Sequence, residues 1–201
     1  LLPKKIKTLI DIGCGDGYLL YCLNKKRHLN KISALDISQV RCDRIKKKLP
    51  FVKVYRETIT DLPFEDNSFD IVICSQVLEH ITDFRKAMNE LIRISRREII
   101  ITVPNDQPLV KVICPKCKTE HYLDGHINQF TVNKFKKAIH ECKMTRIKKI
   151  KKFHTIYTYN KLTMKFPFFI RNLFDQILIK ADRILGFCKP SYLLFEIRKP
   201  N

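Results

Sequence analysis

Three glycines alternate between Asp11 and Tyr18, directly after an apolar run that ends in an acidic residue. Because glycine has no Cβ, Gly13 and Gly15 can take positive φ and let a ligand approach the backbone amides closely. The pattern is typical of a buried strand that breaks into a turn and opens a helix, and it predicts a nucleotide-like ligand. The alternative is a strand-to-helix turn that binds nothing.

The spacing of the glycines narrows the kind of ligand. A pyrophosphate-binding turn has the pattern G-x-G-x-x-G, and Tyr18 occupies the place of its third glycine. A carboxylate just before the turn also suits a cofactor with a cationic head group. The segment resembles motif I of the class I S-adenosylmethionine-dependent methyltransferases. The residues of the turn that this resemblance implies for cofactor binding are Asp11, Gly13, Cys14 and Gly15.

Further motifs follow in the order of that family. Asp36 ends a short apolar run about twenty residues after the turn, where a carboxylate can accept hydrogen bonds from both ribose hydroxyls. Capping of the helix that begins near Ser38 is the alternative role for Asp36. A later segment, residues 60–64, is implied to lie over the adenine, and residues 75–80 follow the next strand. The further implied cofactor contacts are Asp36, Ile37, Thr60, Asp61, Leu62, Ser75, Gln76 and His80.

The elements that position these residues alternate between strands and helices. The continuous apolar run from Ile71 to Cys74 is typical of a central parallel strand buried on both faces. Later segments predict a helix from Asp83 to about Ser95, a strand over 98–103, a helix capped by Thr131, and strands over about 144–159 and 191–198. We predict an α/β fold with a doubly wound, mostly parallel, seven-stranded Rossmann-like sheet whose last strand is antiparallel.

One domain is expected over residues 1–201. The first strand begins only a few residues in and the chain does not begin with Met, so an N-terminal truncation is expected. There is no signal peptide and no run of eighteen apolar residues, which predicts a cytoplasmic protein. The eight cysteines fit a reducing compartment.

A loop over residues 104–130, without other secondary-structure signals, contains a candidate zinc site. Its potential ligands have the spacing C-x2-C-x3-H-x4-H. They are Cys114, Cys117, His121 and His126. A free-thiol loop is the alternative, because the segment from Gly125 to Thr131 resembles one that many of these methyltransferases have without metal, with its histidine facing the substrate pocket.

An amphipathic helix is predicted over about 166–187, with Pro167 in its first turn and Gly186 at its C-terminal end. It can cover the chain's own core or the substrate pocket, form a dimer, or contact a membrane surface. The formal net charge of the whole chain is +19, and residues 134–201 alone contain 17 basic and 4 acidic residues. This charge favours contact with an anionic membrane leaflet or with RNA, and of the two RNA is not preferred. The alternative is that the basic side chains only form a solvated face.

The segment after the fourth strand bears on the methyl acceptor. Enzymes of this fold that methylate base or amide nitrogens often have an Asn/Asp-Pro-Pro-aromatic motif there, whereas this chain has Cys74-Ser75-Gln76-Val77. The resemblance therefore implies transfer to oxygen or carbon of a small-molecule or lipid-like acceptor. His80 and His126 are the candidate bases, with His80 remaining if His126 binds zinc. An RNA or protein methyltransferase, or a non-enzymatic cofactor-binding module, is the alternative.

Overall fold

The computed structural model describes residues 6–26, 31–142, 146–153 and 192–199. The helix predicted over about 166–187 lies outside these residues, as does the part of the predicted β segment beyond residue 153. Among the described residues, no helix is both long and apolar enough to cross a membrane.

Strands and helices alternate through the first half of the chain as the sequence predicts. The elements are β1 (Thr8–Ile12), α1 (Tyr18–Lys26), β2 (Lys31–Leu35), α2 (Gln39–Lys48), β3 (Lys53–Tyr55), β4 (Phe69–Ser75), α3 (Phe84–Ile94), β5 (Ser95–Pro104), β6 (Lys111–Ile113), β7 (Glu120–Tyr122), α4 (Val132–Glu141), β8 (Arg146–Phe153) and β9 (Tyr192–Arg198). Short 3-10 turns occupy Leu78–His80 and Leu123–Gly125.

Seven strands of the described residues form one sheet in the order β3-β2-β1-β4-β5-β9-β8. The first five are parallel, and β9 runs antiparallel to both β5 and β8. This confirms the predicted fold class. The chain winds to one side of β1 through β2 and β3 and to the other side through β4 and β5. The carboxyl ends of β1 and β4 therefore frame a topological switch point, where sheets of this kind bind ligands.

Side-chain caps and aromatic packing fix the helices that cover the sheet. Asp83 caps α3, and Thr131 caps α4 by accepting a hydrogen bond from the backbone N of Lys134 at 3.2 Å. The fully buried ring of Phe135 stacks on Phe195 of β9, with centroids 4.1 Å apart. Helix α4 is thus held to the antiparallel strand β9 through its apolar face.

The segment between β5 and α4 departs from the prediction of a loop without secondary structure. Strands β6 and β7 pair as an antiparallel hairpin, and Cys114 and Cys117 lie in its turn. The backbone N of Lys118 donates to the carbonyl of Cys114, and Lys118 takes a φ of 59°. Each strand has only three residues, which is too short for an apolar alternation to predict it.

Replacement of Phe135 tests the packing of α4. We expect Phe135→Ala to lower the free energy of unfolding by about 3–5 kcal/mol, because it leaves a cavity against Phe195. Denaturant unfolding measures the change. Lys137→Ala on the exposed face of the same helix is the matched control and should change stability little; equal effects of the two substitutions would contradict this packing.

Candidate functional site

The turn after β1 is built on hydrogen bonds to the end of β2. The backbone N atoms of Gly13 and Cys14 donate to the carbonyl of Leu35 at 2.7 and 3.1 Å. Gly13 has a φ of 71°, and a Cβ there would overlap Cγ2 of Val77, so this glycine is needed for packing. Gly15 has a φ of 55°, and, apart from its own atoms and those of its two neighbours in the chain, no described atom lies within 4 Å of the position that its Cβ would take. Gly15 therefore leaves space that a ligand can approach.

Asp36 connects the turn to the start of α2. Its buried carboxylate accepts hydrogen bonds from the backbone N of Gly15 at 3.0 Å and of Ser38 at 2.9 Å. The N-cap of α2 is Ser38, so Asp36 does not cap the helix itself. The guanidinium of Arg41 lies 3.6 Å from the same carboxylate. Each carboxylate oxygen has a second lone pair, which leaves Asp36 able to accept from a ligand hydroxyl as well.

A cavity of about 450 Å³ opens at the carboxyl ends of β1 and β2 beside the loop after β4. Its volume suits a nucleoside-sized ligand. The predicted cofactor residues in its wall are Gly13, Asp36, Ile37, Gln76 and His80. The wall also contains residues that sequence reasoning missed, among them Arg41, Glu57, Thr58 and Val77. Glu57 and Thr58 follow the carboxyl end of β3, so the rule that points to Asp36 after β2 could have found them.

The predicted residues after β3 lie outside the lining of this cavity in the described structure. Thr60 contacts the cavity residue Thr58 through their hydroxyls, 3.0 Å apart. Leu62 is buried, and its backbone N donates to the carboxylate of Glu90 at 2.7 Å. Arg93 donates to the carbonyl of Leu62 at 2.9 Å and forms an ion pair with Glu90. This clamp from α3 holds the loop, while the side chain of Asp61 is exposed.

Ser75 and Gln76 are fixed by the neighbouring strand. The hydroxyl of Ser75 lies 2.7 Å from that of Thr102 on β5, and the side-chain amide of Gln76 donates to the same Thr102 oxygen. Gln76 takes a φ of 57°, an uncommon left-handed conformation for a residue other than glycine. The chain therefore turns sharply off β4 and directs the following loop over the cavity.

Asp11 is the buried acid beneath the turn. Burial raises its pKa to about 7, and the nearby charge of Asp36 adds to that shift. Burial also raises the pKa of the thiols of Cys14 and Cys74, and Asp11 contributes to both shifts. Asp11 therefore changes its charge near neutral pH while these two thiols stay protonated.

His80 and His126 come together at the edge of the cavity although 45 residues separate them. Their rings lie 4.8 Å apart between centroids. The Nδ1 of His80 lies 3.1 Å from the carbonyl oxygen of Gly125, to which it donates. Burial lowers the pKa of His126, as does the proximity of His80. Both candidate bases thus lie side by side, and His80 contributes to the cavity wall.

The described structure does not bring the four predicted zinc ligands together. Among the described residues, no three of Cys114, Cys117, His121 and His126 have ligand atoms within 4.8 Å of one another. The two cysteines lie in the hairpin turn, where hydrogen bonding to Thr119 and then to Cys114 lowers the pKa of Cys117 to about 7. His126 instead lies beside His80, because the chain turns back to the sheet after β7.

Comparison with known proteins agrees with this geometry. Residues 10–101 match the family profile described as a methyltransferase domain. An uncharacterized protein of Methanocaldococcus jannaschii is 38% identical over 110 residues, which are 54% of this chain and 45% of that protein. A probable S-adenosylmethionine-dependent methyltransferase of Mycobacterium tuberculosis is 27% identical over 104 residues, 49% of this chain and 36% of its own. The chain thus spans less than half the length of these relatives.

The fold has a close match among solved structures. An S-adenosylmethionine-dependent methyltransferase from Mesorhizobium loti superposes with a TM-score of 0.66 at 15% identity, over 98% of this chain and 94% of that one. The glycine turn, the buried Asp36 and the cavity at the switch point lie together at the carboxyl ends of the parallel strands, where sheets of this kind bind ligands. Residues 10–101 match a methyltransferase domain, and together with the relatives this match supports a class I S-adenosylmethionine-dependent methyltransferase family for the chain.

Two glycine variants test separately the packing role of Gly13 and the open space that Gly15 leaves for a ligand. We expect Gly15→Ala to fold, with a loss of about 1–2 kcal/mol from its left-handed backbone, and to bind S-adenosylmethionine at least about tenfold more weakly. Gly13→Ala should lose more stability because its Cβ overlaps Val77. Calorimetric titration and thermal unfolding measure the two quantities; unchanged affinity in Gly15→Ala would contradict the assignment of this space to the cofactor.

The pKa of Asp11 predicts a pH dependence of cofactor binding. A cationic head group is attracted by the ionised carboxylate, which prevails above pH 7 and is lost as pH falls through about 7. We therefore expect affinity for S-adenosylmethionine to be about tenfold weaker at pH 6 than at pH 8. Titration at both pH values measures this difference. Asp11→Asn should bind weakly at both, whereas Glu79→Gln, which removes a second buried carboxyl, should keep the dependence.

Proposed function

We propose that this chain transfers a methyl group from S-adenosylmethionine to an oxygen or carbon atom of a small-molecule or lipid-like acceptor. The single observation that carries the proposal is the cavity at the switch point, which is bounded by the glycine turn and Asp36 and has His80 in its wall. The residues present fit the cofactor, since Gly15 leaves open space at the turn and Asp36 has lone pairs for the ribose.

The relatives support the acceptor class. A malonyl-[acyl-carrier protein] O-methyltransferase of Halorhodospira halophila is 26% identical over 95 residues, and a ubiquinone/menaquinone biosynthesis C-methyltransferase of Campylobacter jejuni is 27% identical over 108. One transfers to oxygen and the other to carbon, according to their names. The end of β4 in this chain, which has Ser75 and Gln76 in place of a motif that holds a planar amine, agrees with both.

The sulfonium supplies an already electrophilic methyl group, so the protein mainly has to align the acceptor and exclude water. The turn and Asp36 would hold the donor, and Val77 and Ile81 in the cavity wall would shield the reacting atoms. His80 and His126 would take the proton from an acceptor hydroxyl or enol. Their adjacency lets one ring contact the acceptor while the other supports it.

An exposed basic strand supports a contact with anionic surfaces. Strand β8 is at the edge of the described sheet, and the side chains of Lys149 and Lys151 are exposed. Lys148 is different, because it pairs with the buried Glu98 and Glu196 at 3.0 and 2.6 Å. We propose that Lys149 and Lys151 attract an anionic membrane surface on which a lipid-like acceptor resides.

Co-sedimentation with anionic vesicles tests this membrane contact. We expect the K149E/K151E variant to co-sediment less than the unchanged chain, because the charges of two exposed side chains on the strand are reversed. A variant that loses RNA binding and keeps vesicle binding would overturn the proposed membrane contact.

Substitution of the histidine pair tests the proposed chemistry. We expect His80→Asn and His126→Asn to slow methyl transfer about 10²-fold or more. The affinity for S-adenosylmethionine should change little in His126→Asn, because His126 is not part of the cavity lining. Transfer of labelled methyl from the cofactor into small-molecule and lipid extracts provides the assay. His140→Asn, an exposed histidine on α4, is the matched control. A protein that fails to bind S-adenosylmethionine, or variants as active as the unchanged chain, would refute the proposal.

A further inference from the structure

We propose that Glu79, His80 and His126 bind a divalent first-row transition metal at the edge of the cofactor cavity. One potential ligand atom from each residue lies within 4.8 Å of the other two. Ligand atoms around such an ion lie up to roughly 4 Å apart, because metal–ligand bonds are about 2.0–2.2 Å long. The ligand atoms of the three side chains therefore need to approach one another by only about 1 Å or less to coordinate one ion.

Glu79 is the observation that points to a ligand. Its side chain is fully buried, and neither carboxylate oxygen has a hydrogen-bond partner in the described part of the chain. A buried carboxylate without a partner is costly, and such groups are normally paired or coordinate a metal. A cation between Glu79 and the two imidazoles would satisfy both oxygens and offset that cost.

The two segments that contain these ligands are joined to each other by the backbone. The carbonyl of Glu79 accepts hydrogen bonds from the backbone N atoms of Ile127 and Asn128 at 2.8 and 3.0 Å. The side-chain amide of Asn128 donates to the carbonyls of Leu78 and Ile81 at 3.1 and 2.7 Å. The 3-10 turn at residues 78–80 and the segment at 126–128 are thus fixed as one unit, which pre-organises the ligand set.

The hydrogen bond of His80 also fits metal binding. Because a carbonyl oxygen only accepts, the Nδ1 of His80 must bear the proton that it donates to Gly125, and Nε2 keeps its lone pair. Metal-binding histidines commonly donate their other ring N–H to a backbone carbonyl in this way. Gly125 and the preceding Asp124 take φ values of 69° and 60°, and this left-handed turn brings the carbonyl of Gly125 to the ring.

Two imidazole nitrogens and one carboxylate favour zinc, iron or manganese over calcium or magnesium. Three protein ligands leave at least one coordination position open, as in catalytic metal sites. The role of the ion rests on the proposed function. A metal beside the cavity would bind an acceptor oxygen and lower its pKa, and the two histidines would then act as ligands and not as free bases.

Calorimetric titration of the chelator-treated full chain with Zn²⁺ tests the site. We expect one Zn²⁺ per chain, with binding weakened at least about tenfold in Glu79→Gln, His80→Asn and His126→Asn. His140→Asn and the double variant C114S/C117S should bind as the unchanged chain does. Co²⁺ bound to the chain should show visible bands typical of nitrogen and oxygen ligands, without an intense thiolate charge-transfer band.

Two results would overturn the metal site. One is the absence of Zn²⁺ binding by the unchanged chain, and the other is binding that is lost in C114S/C117S yet retained in His80→Asn and His126→Asn. Each variant is also titrated with S-adenosylmethionine in the absence of metal, which shows that it is folded. A chain that binds S-adenosylmethionine but fails to bind Zn²⁺ refutes the metal site alone. A chain that binds Zn²⁺ but fails to bind S-adenosylmethionine refutes the proposed function and leaves the site.

Discussion

The buried carboxylate of Asp36 holds together three parts of the chain that would otherwise be independent. It ends β2, accepts from Gly15 in the turn after β1, and accepts from Ser38 at the start of α2. The carbonyl of Leu35 adds two hydrogen bonds from the same turn. The shape of the cavity at the switch point depends on this junction. The arrangement also places a second acid, Asp11, nearby in a dry environment, and a cationic ligand would stabilise the pair of carboxylates.

A second junction brings the other side of the site into place. The segment from β5 to α4 leaves the sheet, forms the β6–β7 hairpin, and returns where the backbone N of Asp106 donates to the carbonyl of Phe130 at 2.7 Å. The ring of Phe130 is buried between Phe84 and Phe135. Because these contacts hold both ends of the segment between β5 and α4, the hairpin can differ in sequence without disturbing the core. The residues just before Phe130 are held against the turn at residues 78–80 by hydrogen bonds from the backbone N atoms of Ile127 and Asn128 to the carbonyl of Glu79, which is how His126 reaches His80.

Local signals were enough to predict most of the framework. The glycine turn, the acid after β2 and the caps Ser38 and Thr131 all act within a few residues, so their chemistry can be read from neighbouring positions. The hairpin was missed because its strands are short and their side chains alternate little between apolar and polar. The described structure also does not bring Cys114 and Cys117 together with His126. The spacing of residues in the sequence does not show in which direction the chain runs between them.

The sequence by itself determined the class of protein, because the winding of the sheet and the glycine turn after β1 depend on residue types at short, regular intervals. Only the tertiary structure decided which distant residues share the site. These contacts form where separate crossover segments come together at one edge of the sheet. They are the cavity contacts of Arg41 and Thr58, the hydrogen bonds of Glu90 and Arg93 with the loop after β3, and the proximity of Glu79 and His80 to His126. Such contacts are set by packing and chain closure, which leave no periodic trace in the amino-acid sequence.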